Sequence, residues 1–192
     1  YLFRDTCNVY VIRDGHRALL IDFGTGAVLD ELADIGVSQV DWILHTHHHR
    51  DQCQGDHLAN ERRIPLAVPA HELPYFEEVE VFWGARQIYD IYDVRQTFFT
   101  LAKSVRTTRV LEDYETFEWG DFRFFVQPTP GHTLGHIALI ARIDGAEVCF
   151  SGDLIAAPGK VQALYDLQYA YGAGDGCELH GLLAGQAAGA RL

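Results

Sequence analysis

The residues best suited to chemistry stand in one run, His45-Thr46-His47-His48-His49-Arg50-Asp51-Gln52. Imidazole and carboxylate are donors that Zn²⁺ and iron favour, and alternate residues of an extended segment point the same way. On that geometry His47, His49 and Asp51 converge, while His48 and Arg50 face elsewhere. Two further runs offer the same donor types: Thr129-Pro130-Gly131-His132-Thr133-Leu134-Gly135-His136 and Phe150-Ser151-Gly152-Asp153. Each alone reads as ordinary turn residues. Together they put His or Asp at three strand ends, the arrangement a metal pocket at a sheet edge needs. The expectation is that three imidazoles and two carboxylates meet around one ion.

Elements must hold these runs in place. Apolar segments 9–12 and 18–21 flank Asp14-Gly15, 116–119 and 122–127 flank Gly120-Asp121, and 137–141 and 148–150 flank Asp144-Gly145. Each reads as a hairpin. The first and third both close on Gly and Asp, which hints at two related halves. Residues 42–44 predict a buried strand entering the histidine run. Val28, Leu29, Leu32 and Ile35 recur at helical spacing, and Gly36 is a helix stop. A short helix is expected near 56–62 and a strand over 65–68. From about 73 to 105 the pattern is helical and aromatic, with Ile88, Ile91, Tyr92, Phe98 and Leu101 roughly on one face. Strands outnumber helices, which predicts two packed sheets under outer helices.

In this order, T-H-x-H-x-D, P-G-H-T-x-G-H and S-G-D resemble the motif series of metallo-β-lactamase-fold hydrolases, glyoxalase II-like and β-lactamase-like. Leu20-Ile21-Asp22-Phe23-Gly24 looks like that family's early strand-and-turn motif, and the resemblance spans about residues 8–170. It implies an α+β fold, an αββα sandwich of two mixed β-sheets flanked by helices, with metals at one edge. It also implies that His47, His49 and His132 hold a first metal, that Asp153 bridges two metals, and that Asp51 belongs to the second. The chain departs from the family at Gln52, where a histidine usually binds the second metal. A glutamine carbonyl is a weaker ligand, so the expectation is one Zn²⁺ held firmly and a second loosely, with Fe or Mn as alternatives. His180 sits in a helical stretch, 178–183, and reads as a surface or packing residue. The last metal ligand is expected beyond residue 192.

The chemistry expected is attack by a metal-bound hydroxide on an acyl carbon of a thioester, lactone or β-lactam, with Asp51 orienting the water or moving its proton. Asp22 and His136 are candidates to support the ligands, since a carboxylate can fix the tautomer of a ligating imidazole. Asp22 reads equally as a turn residue capping its own backbone. For His45 and His48, packing or solvent exposure is expected, and for Cys53 a small buried thiol. The aromatic residues Phe76, Phe82, Trp83, Tyr89, Tyr92, Phe98 and Phe99 fit core packing better than a substrate wall.

A phosphodiesterase or nuclease of the same fold would need two metals and basic contacts, against which Gln52 and the charge argue. A mononuclear iron oxygenase acting on a thiol or persulfide tolerates a single metal. A binding domain with lapsed chemistry is disfavoured by the intact first-metal ligands.

Composition bounds these readings. With 192 residues, 48% hydrophobic and 22% charged, the chain suits one globular domain over 1–192 with a substantial core. A net charge of −12 repels polyanions, so the expected partner is a small-molecule substrate and not nucleic acid. Cys7, Cys53, Cys149 and Cys177 form no C-x-x-C pair, which suggests reduced thiols in a cytoplasmic protein. No apolar run reaches the length of a membrane span, and the chain does not open on a signal-peptide pattern.

Overall fold

The structure, a computed structural model, describes residues 1–84 and 100–161. Strands β1 (Leu2–Arg4), β2 (Asn8–Asp14) and β3 (Arg17–Ile21) form a meander in which each pairs antiparallel with the next. Strands β4 (Gln39–Leu44), β5 (Leu66–Pro69) and β6 (Arg109–Leu111) then add parallel, giving a mixed six-stranded sheet in chain order. A second sheet has the order β10 (Ala146–Phe150), β9 (Ile137–Ile143), β8 (Phe122–Pro128), β7 (Thr116–Trp119). A two-stranded ribbon, β11 (Ile155–Ala157) with β12 (Lys160–Val161), follows it.

The sandwich follows from side-chain alternation. On the first sheet Val9, Val11, Leu20, Ile43, Leu66 and Val68 bury on one face. Ile12, Leu19, Ile21, Leu44 and Ala67 bury on the other, against Phe117, Phe124, Val126, Ile137 and Leu139 of the second sheet. The near-continuous apolar runs of β3 to β5 exist because these strands are covered on both sides. The outer cover comes from two 3-10 turns (Ala27–Asp30, Leu32–Ile35) and helices α1 (Arg50–Cys53), α2 (Asp56–Glu61), α3 (Pro74–Glu77) and α4 (Val79–Gly84). Val28, Leu32, Cys53, Ala59 and Phe76 from these pieces share the first core cluster.

The α+β sandwich therefore stands, with differences in detail. The second sheet is antiparallel throughout its described strands, not mixed. The helix expected over 28–35 is two 3-10 turns parted at Glu31 and bounded by left-handed glycines, Gly26 and Gly36. The three hairpins form where Asp-Gly or Gly-Asp stands. Strands β1 and β6 and the ribbon carried too few residues to show a period. Phe76 is core, as expected of the aromatic segment. The expectations for Ile88, Tyr89, Ile91, Tyr92, Phe98, Phe99, Cys177 and His180 lie outside the described residues. Among the described residues no helix is long and apolar enough to cross a membrane.

Candidate metal centre

The two similar hairpins end at the same place. β3 leads into Asp22, β4 into the histidine run, β8 into the Pro130 to His136 loop, and β10 into Asp153 through the 3-10 turn Gly152–Leu154. His45, Thr46, His47, His48 and His49 are all buried, as are His132, Thr133 and His136. So many buried polar side chains require partners, and their partners define the site.

His47, His49 and His132 come together. One ligand nitrogen from each lies within 4.8 Å of the others. The ring centroids form a near-regular triangle with sides of 4.7, 4.9 and 4.6 Å, and the planes stand at 75° to 87°, so the ring edges converge. His49 Nδ1 and His132 Nε2 are 2.8 Å apart. Asp153 borders this cluster, its Oδ2 lying 3.9 Å from His47 Nε2 and 3.7 Å from His132 Nε2. The tight three-nitrogen group includes neither Asp153 nor Asp51. Of the five donors expected around one centre, the three imidazoles form the tight group, Asp153 lies alongside it, and Asp51 is outside it.

The reason lies at Arg50. Alternation serves for His47 and His49, but the backbone becomes helical at α1 with His49 as its N-cap, so Asp51 sits in a helix's first turn. Its direction is set by the helix, and Thr6 Oγ1 fixes its backbone by donating to the Asp51 carbonyl at 2.7 Å. Burial, with the Asp153 charge next, pushes the Asp51 carboxyl up to about 6. Asp153 is raised by burial and then by Asp22. Gln52 is buried, and its Nε2 donates to Asp153 Oδ1 at 3.1 Å. The Gln52 Oε1 has no hydrogen-bond partner among the described residues.

Around the cluster runs a layer of buried bonds. Asp22 accepts from Thr46 N–H through Oδ1 and from Thr46 Oγ1 through Oδ2, both at 2.9 Å. The Thr46 hydroxyl, its proton committed to Asp22, then accepts from His47 Nδ1 at 3.0 Å. Asp22 therefore does act on a clustered imidazole, one hydroxyl removed, and it does not cap its own turn. This tautomer leaves the His47 Nε2 lone pair facing the cluster, where it has no hydrogen-bond partner among the described residues. Burial first, then the neighbouring histidines, hold His47 well below its usual range, and burial holds His132 down to about 4 against the pull of Glu72. Neutral imidazoles, a donor nitrogen without a partner, and carboxyls at Asp51 and Asp153 raised by burial and by neighbouring negative charge all fit a bound cation.

His136 stands behind His47, their rings 4.9 Å apart, and its Nδ1 is 2.9 Å from Thr129 Oγ1. His45 lies between carboxylates, with Nε2 3.0 Å from Asp56 Oδ1 and Nδ1 3.5 Å from Asp22 Oδ1. Burial works to lower its pKa, but Asp56 and Asp22 override this and raise it to about 9. His48 pairs with buried Glu72 and stacks on Tyr75 at 4.1 Å. Both histidines are packed and neither is exposed to solvent. The Cys53 thiol donates to the carbonyls of His48 and His49, away from the cluster, and Cys7, Cys53 and Cys149 are free thiols.

Over residues 2–188 the sequence matches the metallo-beta-lactamase superfamily. The chain belongs to this superfamily. It is 32% identical over 156 residues to a hydroxyacylglutathione hydrolase of Cupriavidus metallidurans, covering 79% of this chain and 50% of the relative. It is 29% identical over 153 residues to the enzyme of that name from Albidiferax ferrireducens, covering 79% and 48%. The chain thus spans about half the length of the curated relatives it matches. A subclass B3 metallo-beta-lactamase of Bradyrhizobium japonicum superposes with a TM-score of 0.60 at 21% identity, over 78% of this chain and 58% of that one. A Cronobacter sakazakii metallo-beta-lactamase with a HARLDQ motif superposes with a TM-score of 0.57 at 16% identity, over 76% and 58%. At these identities the likeness is one of fold.

In this metallo-beta-lactamase superfamily chain, four residues of the site escape a reading of the sequence. Thr46 and Thr133 lie inside the motifs but offer no ligand chemistry, so nothing marks them. Asp56 and Glu72 lie outside the motifs, each a lone acid. A charged residue facing an apolar helix surface would have marked them, had the helices there been long enough to show a period.

Proposed function

We propose that this chain is a metal-dependent hydrolase acting on a thioester. The carrying observation is the convergence of one nitrogen each from His47, His49 and His132, all buried, within 4.8 Å. On this reading the three imidazoles hold one zinc ion, while Asp153, Asp51 and the Gln52 carbonyl flank a second, weaker position. Three protein nitrogens leave the ion's remaining coordination open, as catalytic sites do and structural sites do not. A zinc ion held there supplies an electrophile for the acyl carbonyl and lowers the pKa of water.

The protein's own groups do the rest. The buried histidines close the inner side of the site, and Asp153, with a side chain 33% exposed, marks the side open to substrate. Asp51 accepts and returns the proton that must move between nucleophile and leaving group. The thioester preference is supported by the hydroxyacylglutathione hydrolases that the sequence resembles at 29–32% identity.

The test is hydrolysis of a thioester panel set against lactone, β-lactam and phosphodiester substrates, with zinc-replete and chelator-stripped protein. Thioester turnover should vanish on stripping and return with zinc. Asp51→Ala should lower kcat by ~10²–10⁴ while circular dichroism stays unchanged. Faster turnover of the phosphodiester than of any thioester would overturn the substrate assignment, and undiminished kcat in Asp51→Ala would remove its role.

A further inference from the structure

We propose that Glu72 is a positioning residue that sets the spacing between the two ligand loops, an inference that rests on the metal reading above. Glu72 closes the 3-10 turn Ala70–Glu72 directly after β5 and is fully buried. Its Oε2 accepts the His48 backbone N–H at 2.8 Å and pairs with His48 Nδ1. Its Oε1 accepts Thr133 Oγ1 at 2.6 Å and the Gly135 N–H at 2.9 Å. His48 lies between His47 and His49, and Thr133 follows His132. Each oxygen is therefore committed to one loop, and a single carboxylate spans the gap across which His49 Nδ1 and His132 Nε2 face each other.

Other features show that this carboxylate has been given a place. A buried carboxylate is costly unless its lone pairs are used, and here both oxygens are fully engaged. The Tyr75 ring stacked on His48 holds the imidazole from its face, so the pair with Glu72 has one geometry. A Cβ on Gly135 would lie 2.7 Å from Glu72 Cγ and 2.9 Å from its Oε1. The second glycine of P-G-H-T-x-G-H is thus the residue that lets Glu72 in. A backbone bond from Ile137 N to Thr46 O at 3.0 Å joins the same two segments, and Glu72 grips residues next to all three imidazoles. Ligands held at the correct separation before the ion arrives need no ordering when it binds, and this raises affinity without any contact to the ion.

Glu72→Gln keeps the size but turns one acceptor into an NH₂ group facing donors. Zn²⁺ affinity would be measured on the full chain by competition with a chromophoric chelator, at a temperature where circular dichroism shows each variant folded. Co²⁺ would be added separately to report ligand geometry through its d–d absorption. Glu72→Gln should weaken Zn²⁺ binding ~10–100-fold and shift the Co²⁺ bands. Thr133→Val removes only the hydroxyl donor to Oε1; it should weaken Zn²⁺ binding less, and it decides the matter alone if Glu72→Gln does not fold. A role confined to stability would lower the melting temperature and leave both readouts unmoved. Wild-type Zn²⁺ affinity and Co²⁺ bands in a folded variant would overturn the proposal and leave the metal reading standing. A wild-type chain that binds neither ion would overturn both.

Discussion

At the scale of single residues, the site depends on protons being assigned before any ion is bound. Asp22 accepts a hydrogen bond from the Thr46 hydroxyl, and Thr46 in turn accepts one from His47 Nδ1, so only Nε2 is left to ligate. Thr46→Val removes the middle link at nearly constant volume. It frees the imidazole to adopt the other tautomer and should lower Zn²⁺ affinity ~10–100-fold, read by chelator competition. An unchanged affinity would mean that ring packing alone orients His47. Gln52 poses the opposite case, a neutral amide whose buried Oε1 is left without a partner. Gln52→His replaces a weak oxygen donor with an imidazole, the donor zinc favours. Metal content by elemental analysis after dialysis should rise from about one ion per chain towards two. A content that stays at one would place the second position's weakness elsewhere than in Gln52.

At the scale of elements, the site is made by where strands stop. β4 delivers the histidine run and then yields to α1, so His47 and His49 meet on an extended segment while Asp51 takes its direction from a helix. The corresponding stop on the second sheet is Gly152, which ends β10's approach with φ at +50°. A Cβ there would lie 2.6 Å from both His136 Nε2 and Thr46 Oγ1. Both neighbours are buried, so neither has room to retreat. Gly152→Ala combines a left-handed backbone with that overlap, and should cost about 1–3 kcal/mol of stability in chemical denaturation. It should also disturb metal binding, because Thr46 holds His47. A variant as stable as the parent would show that the loop relaxes freely.

At the scale of the whole molecule, burying the imidazoles between two sheets couples the site to folding. His47 is held well below its usual range, and His132 and His136 are each lowered to about 4, burial being the largest cause in all three. In the unfolded chain the same groups titrate near ~6.5. The folded state therefore binds fewer protons, so this stability is fully present above about 6.5 and is lost as pH falls towards 4. His45 runs the other way. Raised to about 9, it contributes stability below about 6.5 that is lost as pH rises through 9. Metal-stripped protein should thus show a melting temperature that peaks near neutral pH. On the acid side the loss at the three rings is partly offset by Asp51, which is raised to about 6 and takes up a proton in the folded state. On the alkaline side the loss at His45 is joined by the buried thiols of Cys7 and Cys53, which the fold keeps protonated. Zinc should raise the whole curve near neutrality and lose its effect on the acid side, as the ligands protonate. Histidine ring resonances of His47, His132 and His136 that titrate near ~6.5 in the metal-stripped protein would contradict the burial of these rings.

The sequence by itself determined the donor types, their order along the chain and the hairpins that carry them. Period-two alternation and Asp-Gly turns are local properties, and H-x-H is a local spacing. That is why β2, β3, β4 and the strands from β7 to β10 were legible, along with the place of His47, His49, His132 and Asp153 at strand ends. Only the tertiary structure decided which donors share a centre. Asp51 lies outside the three-nitrogen group, in the first turn of a helix, and Glu72 entered the site from a segment with no motif. Bonds such as Glu72 to Thr133 join residues distant in the chain, and their existence depends on how two sheets pack. That packing is set by the sum of buried surface over the whole core, which no short run of residues displays.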